Sequence, residues 1–330
     1  MGFLFQRASA IVIMLDDRYI KEYKGISVEG TDNEDIELIL ENGNKVYTQA
    51  KAINNPDDDR NTRKALKDVM KSLLMDYQKG NAHHLIYMTN RIDPLKSDNR
   101  NQWIWGWNNR TTIGNKNENI IVEILMQLDV AERERKEILD KLYFRTIWFF
   151  GDDETTRFQQ IEEVVGKFLS HIGLQYYAKQ VLMRWRTIFE NNETVSKKSV
   201  KKILDKKDLM YSILSLINTN INADNFVKVN SKFDDFEYIE TYYKQVVEEQ
   251  IESIDLVNNV LSQYQIQKIN IKINSEYKYD FIKDNYKDYT HKFDSINPID
   301  EREAVTQYAM LRIIEQKRIV DKIREAANLK

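Results

Sequence analysis

Residues 3–23 carry apolar side chains at helical spacing, from Phe3 and Phe5 through Ile11 and Met14 to Tyr19 and Ile20, and the polar Lys24-Gly25 closes the run. This pattern predicts one helix. Three short segments of β-branched and alternating character follow, at 26–29, 35–41 and 45–53. Asn42-Gly43-Asn44 joins the last two as a hairpin, because Asn and Gly tolerate the positive φ of a tight turn. After a loop at 54–60, residues 61–80 return to helical spacing (Leu66, Val69, Met70, Leu73, Leu74, Tyr77), and 84–89 reads as a buried strand. The predicted order is αβββαβ.

From about residue 117 the character changes. Gly and Pro become scarce, and amphipathic stretches at 123–141, 155–172, 175–190, 196–205, 236–264 and 298–328 predict helices. Residues 142–150 fit either a strand or the start of a buried helix, and the polar stretch at 218–230 fits a loop. The expected organisation is an α/β N-terminal core over residues 1–115 followed by a mainly α-helical C-terminal region over 116–330. At 330 residues the chain is long enough for two units that each bury a core.

Composition narrows the chemistry. With no cysteine, disulfides, thiolate zinc sites and cysteine nucleophiles are excluded, and four histidines (His83, His84, His171, His291) leave little for a histidine-built metal site. Any catalytic metal must then rest mainly on oxygen ligands, which favour Mg²⁺ or Mn²⁺. No apolar run approaches the roughly 18 to 20 residues of a membrane helix. Asp16 and Asp17 interrupt the apolar opening and no small-residue cleavage site follows, so a cytoplasmic location without membrane association is expected. A net charge of −3 neither favours nor excludes a nucleic-acid partner, since local patches can bind phosphate under a neutral total. Lys197, Lys198, Lys201 and Lys202 form the densest basic patch. Arg100 and Arg110 flank Trp103, Trp105 and Trp107, whose rings suit either base stacking or packing. His83-His84 has no partner at metal-ligand spacing and reads as structural.

In a strand, alternate side chains share a face, so Asp35 pairs with Glu37 and Gln49 with Lys51. The hairpin makes these strands antiparallel neighbours and brings a carboxylate, an amide oxygen and an ammonium to one sheet edge. Any one of these residues taken alone reads more simply as a solvated strand end; the combination supplies what phosphodiester hydrolysis needs. Asp35 and Gln49 are the candidate metal ligands, and Lys51 is the cation that positions water or stabilises charge in the transition state. Glu29 at the end of the first strand and Gln6 on the first helix can approach the same edge, with Glu37 a further candidate.

GFLFQ at 2–6, VEGTDNEDIEL at 28–38 and VYTQAK at 46–51, in this order and strand context, resemble the endonuclease domain at the N-terminus of effectors of CBASS anti-phage systems. That domain is a branch of the restriction-endonuclease-like PD-(D/E)xK superfamily, whose core order is also αβββαβ. Its (D/E)xK triplet appears as QxK, matched by Gln49-Ala50-Lys51, and its preceding aspartate is matched by Asp35. The similarity covers roughly residues 1–95. It implies a restriction-endonuclease-like fold and a Mg²⁺-dependent double-stranded DNA endonuclease, with Mn²⁺ as substitute, serving anti-phage defence. Gln49 in place of an acid removes one negative charge from the metal site. No βα sensor pattern follows, which implies gating by oligomerisation or by a sensor or ATPase partner of SMC-like or HerA-like type, as in related defence systems. The alternatives are a catalytically silent assembly subunit on the same fold, or a helical scaffold with an incidental sheet.

Overall fold

A computed structural model describes residues 2–28, 35–58, 60–95, 103, 105–196, 203–217, 223–231, 236–249, 254–269 and 276–329. The chain folds as two compact units, Met1–Lys206 and Lys207–Lys330.

The first unit comprises α1 (Gly2–Met14), β1 (Tyr23–Val28), β2 (Ile36–Leu40), β3 (Lys45–Lys51), α2 (Thr62–Tyr77), β4 (Ala82–Thr89), β5 (Asn108–Asn109), α3 (Gly114–Gln127), α4 (Glu132–Lys141), β6 (Leu142–Thr146), α5 (Glu154–Ile172), α6 (Ala178–Ser196) and β7 (Leu204–Asp205). Its first six elements follow the expected αβββαβ order. The strands form one sheet, ordered β5-β6-β4-β3-β2-β1-β7. β1, β2 and β3 make an antiparallel meander, whereas β3, β4 and β6 run parallel. At the β2–β3 turn Gly43 takes φ 83° and the Asn42 side chain accepts the Asn44 N–H at 2.9 Å, which fixes the register.

The helix expected over 3–23 ends at Met14. Acidic residues are unfavourable at a helix C-terminus, and the carboxylate of Asp16 is drawn instead to Arg145 and Trp107. Residues 15–22 form turns, and Tyr19, Ile20 and Tyr23, which prolong the helical spacing in the sequence, are buried by tertiary packing. The compact unit also runs well past residue 115, since β6 adds in parallel to β4 and β7 pairs with β1. Residues 142–146 are therefore strand. Leu204–Asp205, expected at the end of a helix, is an edge strand, while 197–202 lie outside the described residues. Gly25 permits that pairing: a Cβ there would lie 2.6 Å from Ile203 Cγ2 and 3.0 Å from the Leu204 carbonyl oxygen.

The two faces of the sheet are covered separately. Tyr47, Leu85, Tyr87, Leu142 and Phe144 pack with Leu66, Met70 and Leu73 of α2 and with Ile121, Ile124 and Leu125 of α3. On the other face Phe149 meets Phe5 of α1 and Phe158 of α5, with ring centroids 5.4 and 5.2 Å apart. Trp103 is buried in the first cluster, edge-on to Phe144, so this ring packs a core.

The second unit contains α7 (Lys206–Tyr211, starting at the last residue of the first unit), α8 (Ala223–Val227), α9 (Phe236–Glu249), α10 (Ile254–Ile269), α11 (Tyr277–Asn285), α12 (Ile299–Glu315) and α13 (Lys317–Ala327). α12 is its central helix, and Phe226, Phe236 and Tyr243 surround Tyr308 with centroids 5.2 to 5.9 Å away. Of the helix expected over 236–264, α9 and α10 are the described parts, with 250–253 outside the described residues; that expected over 298–328 comprises α12 and α13, and α8 occupies part of the expected loop at 218–230. No helix among the described residues is long and apolar enough to cross a membrane.

Candidate active site

The hairpin register, Ile36 opposite Thr48 and Glu37 opposite Tyr47, carries on to set Asp35 beside Gln49 at the open end of β2 and β3. Asp35 stands just before the first β2 residue, so its side chain continues where the strand backbone has left off. Its Oδ2 accepts the Ala50 backbone N–H at 2.7 Å, and because a strand N–H lies in the sheet plane, the carboxylate does too. Lys51 Nζ donates to Oδ2 at 2.9 Å and to Oδ1 at 3.3 Å. Gln6 Nε2, reaching from α1, donates to Oδ1 at 2.8 Å. A carboxylate only accepts, so the Gln6 amide must turn its NH₂ toward Asp35 and its oxygen away.

The three groups differ in exposure. The Asp35 side chain is 11% exposed and that of Lys51 48%, so the carboxylate is fixed in the fold while the ammonium faces solvent. Gln49 is buried on β3, with Tyr87 of β4 in register beside it. Glu37 is held at the hairpin end of β3 by Lys45, 2.8 Å away, and so is drawn from the Asp35 end. The structure thus brings Gln6, Asp35 and Lys51 together, with Gln49 adjoining and Glu37 turned to another partner. Arg110 is engaged by Glu118 at 2.9 Å and Asp140 at 3.1 Å, an arrangement that ties α3 to α4. Glu29, Arg100, Lys197, Lys198, Lys201 and Lys202 lie outside the described residues.

Sequence reasoning missed the groups that brace this edge. Thr89 Oγ1 donates to the Lys51 carbonyl at 2.7 Å, which fixes the backbone carrying the lysine. Buried Asn90 clamps two segments to the end of β4: its Oδ1 accepts the Ile53 N–H at 2.8 Å, and its Nδ2 donates to the carbonyls of Ile53 at 2.8 Å and Phe149 at 3.0 Å. The available signal was the polar Thr89-Asn90 pair closing an otherwise apolar strand. His84, by contrast, belongs to a structural cluster. Burial, then Asp16 beside it, holds the Tyr19 hydroxyl protonated well above its usual range, and it is hydrogen-bonded to His84 Nδ1 at 2.7 Å. Burial above all, then His83, Arg18 and Lys141, pushes His84 down to about 4.

Among the described residues no three His, Cys, Asp or Glu side chains converge as a metal cluster. The donor set at the sheet edge is one carboxylate with amide oxygens. Gln6 Oε1 is buried and accepts no hydrogen bond, at a cost of roughly 1–3 kcal/mol for an unmatched acceptor. Mg²⁺ is commonly held by one or two carboxylates while keeping several waters, so these hard oxygen donors fit it.

No family model and no curated protein matches the chain. Among solved structures, the Moraxella osloensis Cap4 SAVED/CARF-domain containing receptor superposes with a TM-score of 0.40 at 14% identity. The superposition covers 64% of this chain and 46% of the receptor, so the chain spans less than half the length of the protein it matches. At that similarity it transfers neither residues nor activity.

Proposed function

We propose that the first unit is a metal-dependent endonuclease that hydrolyses phosphodiester bonds of double-stranded DNA, as the cutting effector of a bacterial anti-phage defence system. The observation that carries this reading is the Asp35 carboxylate, held at once by Gln6, Ala50 and Lys51 at the open end of an αβββαβ sheet. Asp35 would hold Mg²⁺, or Mn²⁺ in its place, through its carboxylate, with the amide oxygens of Gln49 and Gln6 as further donors. Such an ion supplies neutralisation of phosphate charge and a lowered pKa for attacking water. The exposed ammonium of Lys51 would donate to a non-bridging phosphate oxygen, adding positive charge where negative charge develops. The Ala50 N–H keeps Asp35 aimed, so the carboxylate needs little reorganisation when substrate arrives. Cutting both strands needs two such sites in fixed relation, which a symmetric oligomer provides. In this scheme the helical second unit docks a sensor or ATPase partner of SMC-like or HerA-like type that restrains the nuclease.

The test is incubation of supercoiled plasmid with the full chain and Mg²⁺ or Mn²⁺, with and without the products of neighbouring genes, in parallel with Lys51→Ala. Conversion to nicked and linear forms by the natural sequence alone is the expected result. Equal conversion by Lys51→Ala would falsify the site assignment. One observation favours a second reading, a silent assembly module: the described edge offers a single carboxylate already paired with a lysine. Calorimetric titration with Mn²⁺ separates the two, since a silent module gives neither binding heat nor cleavage.

A further inference from the structure

After β6 the chain leaves regular strand, tied to β4 through the Ile147 N–H and the Phe149 carbonyl, and burial alternates: Ile147 and Phe149 are fully buried, whereas Trp148 is 38% exposed and Phe150 half-buried. Phe149 faces α1 and α5, so Trp148 and Phe150 face the opposite side of the sheet, in phase with Phe144 and Thr146. That is also the side of Tyr47, Gln49 and Lys51, because Lys51 is in register with Thr89, and Thr89 with Thr146. The rings of Trp148 and Phe150 lie against each other with centroids 4.2 Å apart, forming one aromatic surface open to solvent.

The position of this surface is fixed from two directions. Ile147 N donates to the Thr89 carbonyl at 2.9 Å, Asn90 Nδ2 holds the Phe149 carbonyl, and Thr89 and Asn90 hold Lys51 and Ile53 in turn. On the other face Phe149 packs on Phe5, the neighbour in sequence of Gln6, which binds Asp35. With strands about 4.8 Å apart and a rise of about 3.3 Å per residue, Trp148 Cα lies roughly 12 Å from Lys51 Cα, or roughly two to four nucleotides along a strand.

We infer that Trp148, backed by Phe150, is a stacking platform for an unpaired nucleobase of the strand whose phosphate lies at Lys51. This deepens the nuclease reading and rests on it, and it requires that one base leave the duplex stack beside the scissile phosphate. A large aromatic surface kept partly exposed beside a solvent-facing cation suits a ligand that alternates flat apolar rings with anionic links. A single nucleic-acid strand has that chemistry, and stacking on it tolerates any base. The Phe149 contacts and the Asn90 clamp anchor the segment from behind, so the rings are presented without an ordering cost at binding.

The experiment measures binding of the full chain to a fluorescent thymidine 12-mer and to an abasic 12-mer of equal charge, in Ca²⁺ so that nothing is cut. The protein should prefer the base-bearing strand by roughly fivefold to a hundredfold, the range expected for one stacked base. Trp148→Ala should lose that preference while binding the abasic strand unchanged, and Trp148→Phe should retain most of it. Equal affinity of the natural sequence for both oligomers, or a loss in Trp148→Ala that is the same for both, overturns the proposal. A loss in Trp148→Phe as large as that in Trp148→Ala also overturns it. Plasmid cleavage by the natural sequence and by Lys51→Ala, run separately, reports on the nuclease reading without involving Trp148.

Discussion

Asp35→Ala should damage stability as well as activity, and the structure says by how much. Removing the carboxylate leaves two buried donors, the Ala50 N–H and Gln6 Nε2, without acceptors. Each unmatched buried donor costs roughly 1–3 kcal/mol, and partial relaxation of Gln6 brings the expected total to roughly 2–4 kcal/mol. The Lys51 pair adds little, because an ammonium on a half-exposed side chain is resolvated and such pairs are worth about 0–1 kcal/mol. Asp35→Asn is the informative companion. Its amide oxygen can still accept the Ala50 N–H, and Gln6 can turn its own oxygen toward the new NH₂, so the expected cost falls to about 1 kcal/mol. Amide hydrogen exchange of the full chain, followed at peptides spanning residues 45–53, reads this directly. A local loss of about 2 kcal/mol speeds exchange of the Ala50 amide about thirtyfold in Asp35→Ala, against about fivefold in Asp35→Asn, with neither variant cutting plasmid. Exchange at Ala50 unchanged in Asp35→Ala, or accelerated as much by Lys51→Ala, would refute the view that Asp35 is a structural pin as well as a reactive group.

Lys51→Ala should lower plasmid cleavage by at least a hundredfold, the scale of one lost charge-stabilising donor, while melting within about 1 °C of the natural protein in calorimetry. His84 is held at about 4 in the fold against 6.5 for a free histidine, so its contribution is complete above pH 6.5 and is lost as pH falls toward 4. The unfolding free energy from urea titrations across that window should therefore fall, by on the order of 1–3 kcal/mol for a ring that keeps partial contact with water, and His84→Gln should flatten the slope. Arg145 and Asp16 form a mostly buried pair joined by the Trp107 indole N–H at 2.8 Å. Arg145→Met strands the carboxylate and should cost about 3 kcal/mol, and the double variant with Asp16→Asn should recover part of it in thermal denaturation.

The first-unit order was legible because its elements carry clean periods: alternation on either side of Asn42-Gly43-Asn44, and 3.6-residue spacing from Leu66 to Tyr77. The hairpin turn sets the register, which is why Asp35 and Lys51 could be placed together from the sequence. Tertiary competition accounts for much of what was not legible. Tyr19 and Ile20 extend the helical spacing beyond Met14, but their burial comes from neighbours far along the chain, and the Asp16 carboxylate is drawn to Arg145. Glu37 shares the period of Asp35, yet a lysine at the hairpin end offers it an ion pair. β7 is two residues long, too short for any periodicity to register. The helical second unit was legible in kind, whereas the break between α12 and α13 was not, since apolar spacing runs through it.

The sheet has a consequence for how this protein is made. Asp35, Gln49 and Lys51 are translated before the neighbours that fix β3: β4 ends at Thr89, β6 at Thr146, and β7, which closes the far side of β1, at Asp205. At roughly 5–20 residues per second, the stretch between Lys51 and Asp205 takes roughly 8–30 s to emerge. During that interval the groups that grip Asp35 exist in the nascent chain, but the Asn90 clamp waits for Phe149 and the β1 edge for its last partner. Translation order itself therefore delays the finished sheet edge around Asp35 until residue 205 has left the ribosome.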